Sequence, residues 1–231
     1  MATEYNRSKI VTDNLILCLD AANIKSYPGT GTAWKDITSS YDSIVLVNGP
    51  SHIVSGGGSF SFDGSNDYVG FPQINFAGTE ITAAIWAYGV NNNESSTIYF
   101  NNSDGYRELN IHLPWSNNNV YFDKAGGSDN NFDRINKAVT NAEYQGWHYW
   151  VFTANSSTGS MKIYHDGDLW HSGTGHTRAI ANADGGWKVL ATNPEGNNWT
   201  GYISIFQLYK NELSAAEVKQ NFDATKMRHG L

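Results

Sequence analysis

The sequence predicts an all-β fold, a sandwich or barrel of short strands, with one helix near the C-terminus. Three observations carry this prediction. Only 16% of the 231 residues are charged, against roughly 25% in average globular proteins, while glycine (23) and aromatic residues (13%) are abundant. Strand-like runs recur along the chain with turn clusters between them. A strong helix-start signal occurs near the C-terminus.

Eleven short segments have the apolar content or the alternation of strands. They are Leu15–Leu19, Ile44–Val47, Ser59–Phe62, Ile81–Tyr88, Thr97–Phe100, Leu109–Leu113, Val120–Asp123, His148–Ala154, Met161–His165, Trp187–Ala191 and Tyr202–Leu208. The connections are rich in turn formers, as in Ser55-Gly56-Gly57-Gly58. No charged or proline-rich linker interrupts the series, so we expect one domain.

The predicted helix covers Leu213–Phe222. Ser214 and Glu217 have the spacing of a capping box, in which each side chain accepts a hydrogen bond from the other residue's backbone. Val218 and Phe222 are four residues apart and therefore share one helix face. We expect this face to cover an edge or end of the β-structure.

The segment Tyr106–Lys124 is predicted to form a hairpin in which apolar and polar residues alternate. One face of the hairpin then collects polar and aromatic side chains, namely Arg107, Asn110, His112, Trp115, Tyr121 and Asp123. Two interpretations are open. The face is a glycan-binding surface, where aromatic rings cover sugar C–H groups and polar groups fix hydroxyls, or it is the solvated outer face of a half-buried strand pair.

The sequence lacks the common catalytic motifs. It contains no G-x-S-x-G, no H-E-x-x-H and no phosphate-binding glycine loop that leads into a helix. Glycoside hydrolysis needs two carboxylates beside one bond, and no E-x-D pair occurs on any strand. We therefore expect a protein that is not an enzyme, with a glycoside hydrolase as a lesser alternative.

No cofactor is required by the sequence, but two turn clusters offer the hard oxygen ligands that calcium takes. One contains Asp63, Asn66 and Asp67, and the other contains Asp129 and Asp133. Turns rich in Asp and Asn also form without metal, because these side chains accept hydrogen bonds from nearby backbone. Both interpretations stay open.

The histidines and the cysteine give weaker signals. His165 and His171 flank the Asp166-Gly167 turn of a predicted hairpin, which is either a metal-binding pair or a plain hairpin. The single cysteine, Cys18, lies in the apolar run LILCLD and is expected to be a small buried side chain.

The charge distribution argues against several partners. The formal net charge is −7, and Lys and Arg are scattered, so neither nucleic acid nor an anionic membrane is expected as a ligand. No apolar stretch is long enough to span a bilayer. Residues 1–14 are polar without an apolar signal core, so we expect an N-terminal arm on a protein synthesised in a cytoplasm, followed by one domain over 15–231.

Taken in order, several segments resemble the concanavalin A-like lectin/glucanase superfamily, particularly its laminin-G-like branch. They are LILCLDAANIKSYPGTGTAWKDI, GGSFSFDGSNDYV, ITAAIWAY, GWHYWVFTANSSTGSMKIYHDGDLW and GYISIFQLYKNELSAAEVKQNF. The resemblance implies a two-sheet antiparallel jelly-roll sandwich. Its inner core should include Phe60, Phe62, Trp86, Trp147 and Trp150, while Trp115 and Trp199, beside turns, are the candidates for exposed aromatic rings.

A narrower resemblance concerns the opening IVTDNLILCLDAANIKSYPGTGTAWKD and the middle LNIHLPWSNNNVYFD with FDRINKA. These segments are similar to jelly-roll domains in virion structural proteins of tailed bacteriophages. The resemblance implies a head-decoration, appendage or tail-fibre protein at the virion surface, made in the host cytoplasm. Its expected partners are other virion proteins or further copies of itself, together with cell-surface polysaccharide. A stand-alone lectin-like module is the alternative.

Overall fold

Two antiparallel β-sheets packed face to face form a sandwich in the computed structural model, which describes residues 9–90, 95–127 and 131–231. This architecture, with one short C-terminal helix, confirms the predicted fold class. The inner faces of the sheets supply the main core, as expected where apolar residues alternate along each strand.

The first sheet contains eight strands. They are β1 (Leu15–Asp20), β3 (Ser51–Ile53), β4 (Ser59–Asp63), β6 (Glu80–Gly89), β11 (Gly146–Asn155), β12 (Ser160–His165), β13 (Asp168–Gly173) and β15 (Thr200–Tyr209). Their order is β13-β12-β11-β6-β15-β4-β3, with β1 also paired to β15.

The second sheet contains seven strands in the order β10-β9-β8-β7-β14-β5-β2. They are β2 (Val45–Val47), β5 (Tyr68–Gly70), β7 (Ile98–Asn101), β8 (Arg107–His112), β9 (Asn119–Lys124), β10 (Asp133–Ala138) and β14 (Lys188–Leu190). Two α-helices, α1 (Asn141–Tyr144) and α2 (Ala215–Thr225), and the 3₁₀ helix Lys226–His229 complete the described elements.

Each of the eleven predicted runs overlaps a strand of the structure. The strands β3, β5 and β10 were not predicted, and β13 is the second arm of the hairpin at Asp166-Gly167. Strands β3 and β5 have only three residues each, and β10 has the sequence DRINKA with a single buried side chain, Ile135. Edge pairing, rather than an apolar pattern, therefore makes β10 a strand.

Two tryptophans predicted for the inner core lie instead on the outer face of the first sheet. Trp86 follows Ile85, whose side chain points inward, so the alternation turns Trp86 outward. There its ring stacks on His229, with ring centroids 4.0 Å apart, and on Phe222 of α2. Trp86 and Phe222 belong to a second apolar cluster on this outer face, and Trp147 packs, partly buried, against that cluster. The C-terminal helices thus give the outward rings an apolar cover.

Trp199 was predicted to be exposed and is 1% exposed. Its ring belongs to the core between the sheets, beside Phe62. The indole Nε1 donates a hydrogen bond of 2.9 Å to the carbonyl oxygen of Leu113. The turn before Trp199 therefore directs the ring inward, and the buried N–H keeps a partner.

The predicted helix is confirmed as α2, with Ser214 as its N-cap and the capping box to Glu217 formed. The backbone N–H of Val11 donates to Asn221 of α2 over 2.7 Å, and Tyr209 donates to the carbonyl of Val11. Residues 1–8 of the predicted arm lie outside the described residues. None of the described helices has the length and apolarity needed to cross a bilayer.

A fully buried lysine joins the two sheets. The ammonium of Lys124, on β9, donates to Asp133 (2.8 Å), to Ser156 (3.0 Å) and to the carbonyl of Arg178 (2.7 Å). Ser156 follows β11 of the first sheet, so the three bonds connect the sheets and the segment before β14. Each of the ammonium's three donors is thereby satisfied, which a buried charge requires.

Glu108 of β8 is 1% exposed and holds the same segment. Its carboxylate accepts hydrogen bonds from the backbone N–H of Ala181 and the side chain of Asn102, both at 2.8 Å. Burial raises the pKa of Glu108 from 4.5 to about 7, although these hydrogen bonds act in the opposite direction. Ionisation of Glu108 near neutral pH therefore opposes folding.

We expect Glu108→Gln to change stability in a pH-dependent way. Between the unfolded pKa of 4.5 and the folded pKa of about 7, only the folded chain keeps the proton, so the contribution of Glu108 to stability falls as pH rises. The free energy of unfolding of the variant, relative to wild type, should increase by on the order of 2 kcal/mol from about pH 5 to about pH 8. Urea unfolding measures this difference. A constant difference, equal to that of the exposed control Glu195→Gln, would contradict the prediction.

Candidate functional site

The predicted hairpin face forms the floor of a pocket on the outer side of the second sheet. The β8–β9 register pairs Asn110 with Asp123 and His112 with Tyr121. The alternating residues Leu109, Ile111 and Phe122 are fully buried in the core, so these four side chains point outward as predicted. Asn110, His112 and Asp123 are nonetheless buried beneath neighbouring side chains and loops, so the face is not a freely exposed strand surface.

The cavity above this floor has a volume of about 310 Å³. Five of the six predicted glycan-site residues line it: Arg107, Asn110, His112, Trp115 and Tyr121. The structure therefore brings the predicted side chains together, and a cavity of this size lies at the lower end of the range for small-ligand sites.

Asp123, the sixth predicted residue, lies below the pocket lining. Its side chain is fully buried and pairs with Arg134 through two bonds of 2.5 and 2.7 Å. Arg107 adds a bond of 3.1 Å. One carboxylate thus holds two guanidinium groups, and its expected role changes from ligand contact to positioning of the arginines.

The two arginines are also held by aromatic rings. Each guanidinium carbon lies 4.6 Å from the ring centre of Phe132, and that of Arg134 lies 4.7 Å from Tyr121. Such cation–π contacts fix the planar groups while leaving edges for hydrogen bonding. The side chains of Arg107 and Arg134 are 30% and 35% exposed, so both reach the pocket surface.

His112 is held in a neutral, fully bonded state. Burial lowers its pKa to about 4. Its Nδ1 lies 2.6 Å from the carbonyl of Ser95 and therefore donates to it, which leaves Nε2 to accept from Asn110 over 3.1 Å. Both ring nitrogens are used, so His112 supports the floor and the adjacent ring of Trp115, whose centroid is 4.4 Å away.

Further lining residues were not predicted from the sequence: Tyr99, Asn117, Arg134, Asn193, Pro194 and Glu195. Tyr99 lies opposite Asn110 on β7, between the buried residues Ile98 and Phe100, and this alternation is visible in the sequence. Arg134 was missed together with its strand β10. The loop that carries Glu195 lies between β14 and β15, far from the hairpin in sequence, and it reaches the pocket because of the fold.

That loop is anchored by Asn193. Its Oδ1 accepts from the backbone N–H groups of Glu195 (3.0 Å) and Asn197 (3.1 Å), and its Nδ2 donates to Ser96 (3.0 Å). Asn193 is buried, and these three hydrogen bonds attach the loop to the pocket wall. The wall of the pocket is therefore positioned by hydrogen bonds within the chain itself.

The calcium prediction remains a prediction. In the first cluster, one carboxylate oxygen of Asp63 accepts from the backbone of Ser65 and Asn66, which is the metal-free turn arrangement. Burial and the charge of Asp63 raise the pKa of Asp67. In the second cluster, Asp133 is paired with Lys124, and Asp129 lies outside the described residues.

A family model described as the concanavalin A-like lectin/glucanases superfamily matches residues 63–219. No curated protein matches the chain at a significant level.

Three solved structures illustrate the similarity. The binding domain of Paraclostridial Mosquitocidal Protein 1 has a TM-score of 0.69 and 16% identity, over 90% of this chain and 52% of that chain. The binding domain of Botulinum Neurotoxin DC in complex with SialylT gives 0.69 and 16%, over 92% and 52%. Domain 4 of AbnA, a GH43 extracellular arabinanase from Geobacillus stearothermophilus, in complex with arabinotriose, gives 0.63 and 13%, over 90% and 98%. The chain spans about half the length of the two toxin binding domains. At identities this low, the structural similarity shows a common fold alone.

We expect Asp123→Ala to lower the free energy of unfolding by about 3 kcal/mol, because it leaves two partly buried guanidinium groups without their carboxylate. Urea unfolding measures the change. Asp104→Ala, at an exposed turn position, is the matched control and should change stability by less than about 0.5 kcal/mol. Equal effects of the two substitutions would show that the ion-pair cluster is not a structural anchor.

Proposed function

The chain belongs to the concanavalin A-like lectin/glucanase superfamily, and we propose that it is a non-enzymatic glycan-binding module whose ligand occupies the pocket of the second sheet. The observation that carries this proposal is the pocket lining itself. Tyr99, Trp115 and Tyr121 surround a polar floor, and sugars present the same mixture of C–H patches and hydroxyl groups. A lining held in place by its own hydrogen bonds lowers the entropic cost of binding.

Each part of the lining has a distinct role in this proposal. The rings of Trp115 and Tyr121 cover apolar faces of a sugar. The guanidinium groups of Arg107 and Arg134 donate to hydroxyl or carboxylate oxygens, with Asp123 fixing their direction. Glu195 at the wall accepts hydrogen bonds from hydroxyl groups.

The carboxylates of the pocket support a binding role rather than hydrolysis. Among the described residues, Glu195 is the one carboxylate that lines the cavity, while Asp123 is engaged by both arginines. A glycosidase needs two carboxyl groups with access to the same bond. Two of the similar structures hold a saccharide named in their descriptions, SialylT and arabinotriose, which supports testing these classes first.

We expect Trp115→Ala to weaken glycan binding by about tenfold, because it removes one aromatic face of the pocket. A glycan array carrying sialylated glycans, arabinan oligosaccharides and bacterial surface polysaccharides identifies a ligand, and calorimetry with that ligand measures the affinity.

The matched control is Tyr202→Ala, which removes a half-buried ring on the opposite face of the sandwich. It should leave binding unchanged. Array binding that survives Trp115→Ala undiminished would reject this pocket as the site, and the absence of binding to every glycan class would reject the module's proposed function.

We also propose a setting for this module, a virion surface protein of the head-decoration, appendage or tail-fibre kind. The support is the resemblance of the LNIHLPWSNNNVYFD and FDRINKA segments to phage virion proteins, since these segments build β8, β9 and β10 of the pocket. In this setting the protein is made in the host cytoplasm, assembles with copies of itself or other virion proteins, and presents its pocket to cell-surface polysaccharide.

Cryo-electron microscopy of the native assembly tests the setting. Density for the sandwich on a shell or tail, with the pocket facing outward, is the expected result. A protein that stays monomeric in solution and is missing from purified particles would contradict it, without affecting the test of glycan binding.

A further inference from the structure

A second cluster of chemically active side chains lies outside the pocket lining, where β11, the end of β12 and the turn between β12 and β13 meet α1. It contains His148, His165 and Asp166, whose ligand atoms all lie within 4.8 Å of one another. The sequence suggested His171 as the partner of His165. The register instead places His171 opposite Ile163, and the ring of His165 lies against that of His148, with centroids 4.6 Å apart.

The backbone explains why the two rings meet. Trp150 of β11 pairs with His165 of β12, and side chains two residues apart on a strand share a face, so His148 and His165 lie on the same face. Asp166 follows directly in the tight Asp166-Gly167 turn, with a φ of 52°. Three side chains from two strands and a turn therefore converge on one point without any long loop.

We propose that His148, His165 and Asp166 form a binding site for a divalent transition-metal cation of the zinc class. The carboxylate Oδ2 of Asp166 lies 2.8 Å from Nδ1 of His148 and 3.6 Å from Nε2 of His165. In a tetrahedral zinc site with bonds of about 2.0–2.1 Å, neighbouring ligand atoms are separated by about 3.3 Å. The observed spacings bracket this value, so small side-chain shifts would admit the ion.

An oxygen that can serve as the fourth ligand atom lies beside the cluster. The main-chain carbonyl of Glu143, in α1, lies 2.8 Å from Nε2 of His165. This oxygen or a water molecule completes four-coordination. The three side chains are between 14% and 26% exposed, so an ion can reach them from solvent.

The donor set determines which metal is expected. Two imidazole nitrogens and one carboxylate favour zinc, cobalt, nickel or copper, whereas calcium takes six to eight oxygen ligands. The site is thus chemically distinct from the calcium predicted at Asp63 and Asp133. Since its ligands come from α1, β11, β12 and the turn after β12, a bound ion would fasten α1 to these two strands of the first sheet.

Titration calorimetry of the untagged, chelator-treated full chain with zinc chloride tests the site. We expect saturable binding of one ion per chain, a higher melting temperature with zinc, and at least about a tenfold loss of affinity in His148→Ala and in His165→Ala. Cobalt(II) in place of zinc should give the intense visible absorption of a four-coordinate ion.

His171→Ala is the matched control, because it removes a partly exposed histidine from the neighbouring strand β13 without touching the cluster. It should bind zinc as wild type does. Circular dichroism verifies folding, and His148→Gln replaces His148→Ala if the latter is unfolded. Absence of saturable zinc binding, or equal affinity in wild type and both ligand variants, would overturn the proposal.

Discussion

The candidate pocket depends on two adjacent, fully buried charged residues of β9, Asp123 and Lys124. Their ion pairs fix the pocket's arginines and connect β9 to its neighbours. Because adjacent side chains on a strand point to opposite faces, the carboxylate of Asp123 organises the outer face and the ammonium of Lys124 organises the inner one. Asp123 aligns two arginines, while Lys124 ties β9 to β10 and to the turn after β11. Both charges are unfavourable in isolation, so each is tolerated only because the fold supplies its partners.

This arrangement explains why the floor of the candidate site is polar although its side chains are buried. Asn110 donates to both His112 and Asp123, which links the support of Trp115 to the alignment of the arginines. A neutral His112 is essential to this chain of bonds, because Nε2 must accept a hydrogen bond from Asn110. The floor therefore functions as one connected network, in which a change at one member affects the orientation of the others.

Much of the fold and half of the site could be predicted from local sequence. Alternation correctly separated Leu109 and Ile111 from Asn110 and His112, and the capping box located α2 at Ser214. Alternation could not assign Trp86 to the inner or the outer face. An apolar ring is expected to face the core, and the sequence does not show that α2 covers the outer face at this position. Nor could it find Arg134, since β10 has a polar sequence and depends on pairing with β9, or Glu195, which reaches the pocket by the fold alone.

The two faces of the sandwich differ in a way that constrains any use of the module. Part of the outer face of the first sheet is covered by α2, and the described N-terminal residue Val11 packs into the same cluster. The outer face of the second sheet carries the pocket, and no part of the described chain closes it. Attachment to a larger assembly through the region around Val11 and α2 would leave the pocket directed away from that assembly. In that arrangement Asp123 would hold the guanidinium groups of Arg107 and Arg134 at the outward face, where the proposed glycan ligand binds.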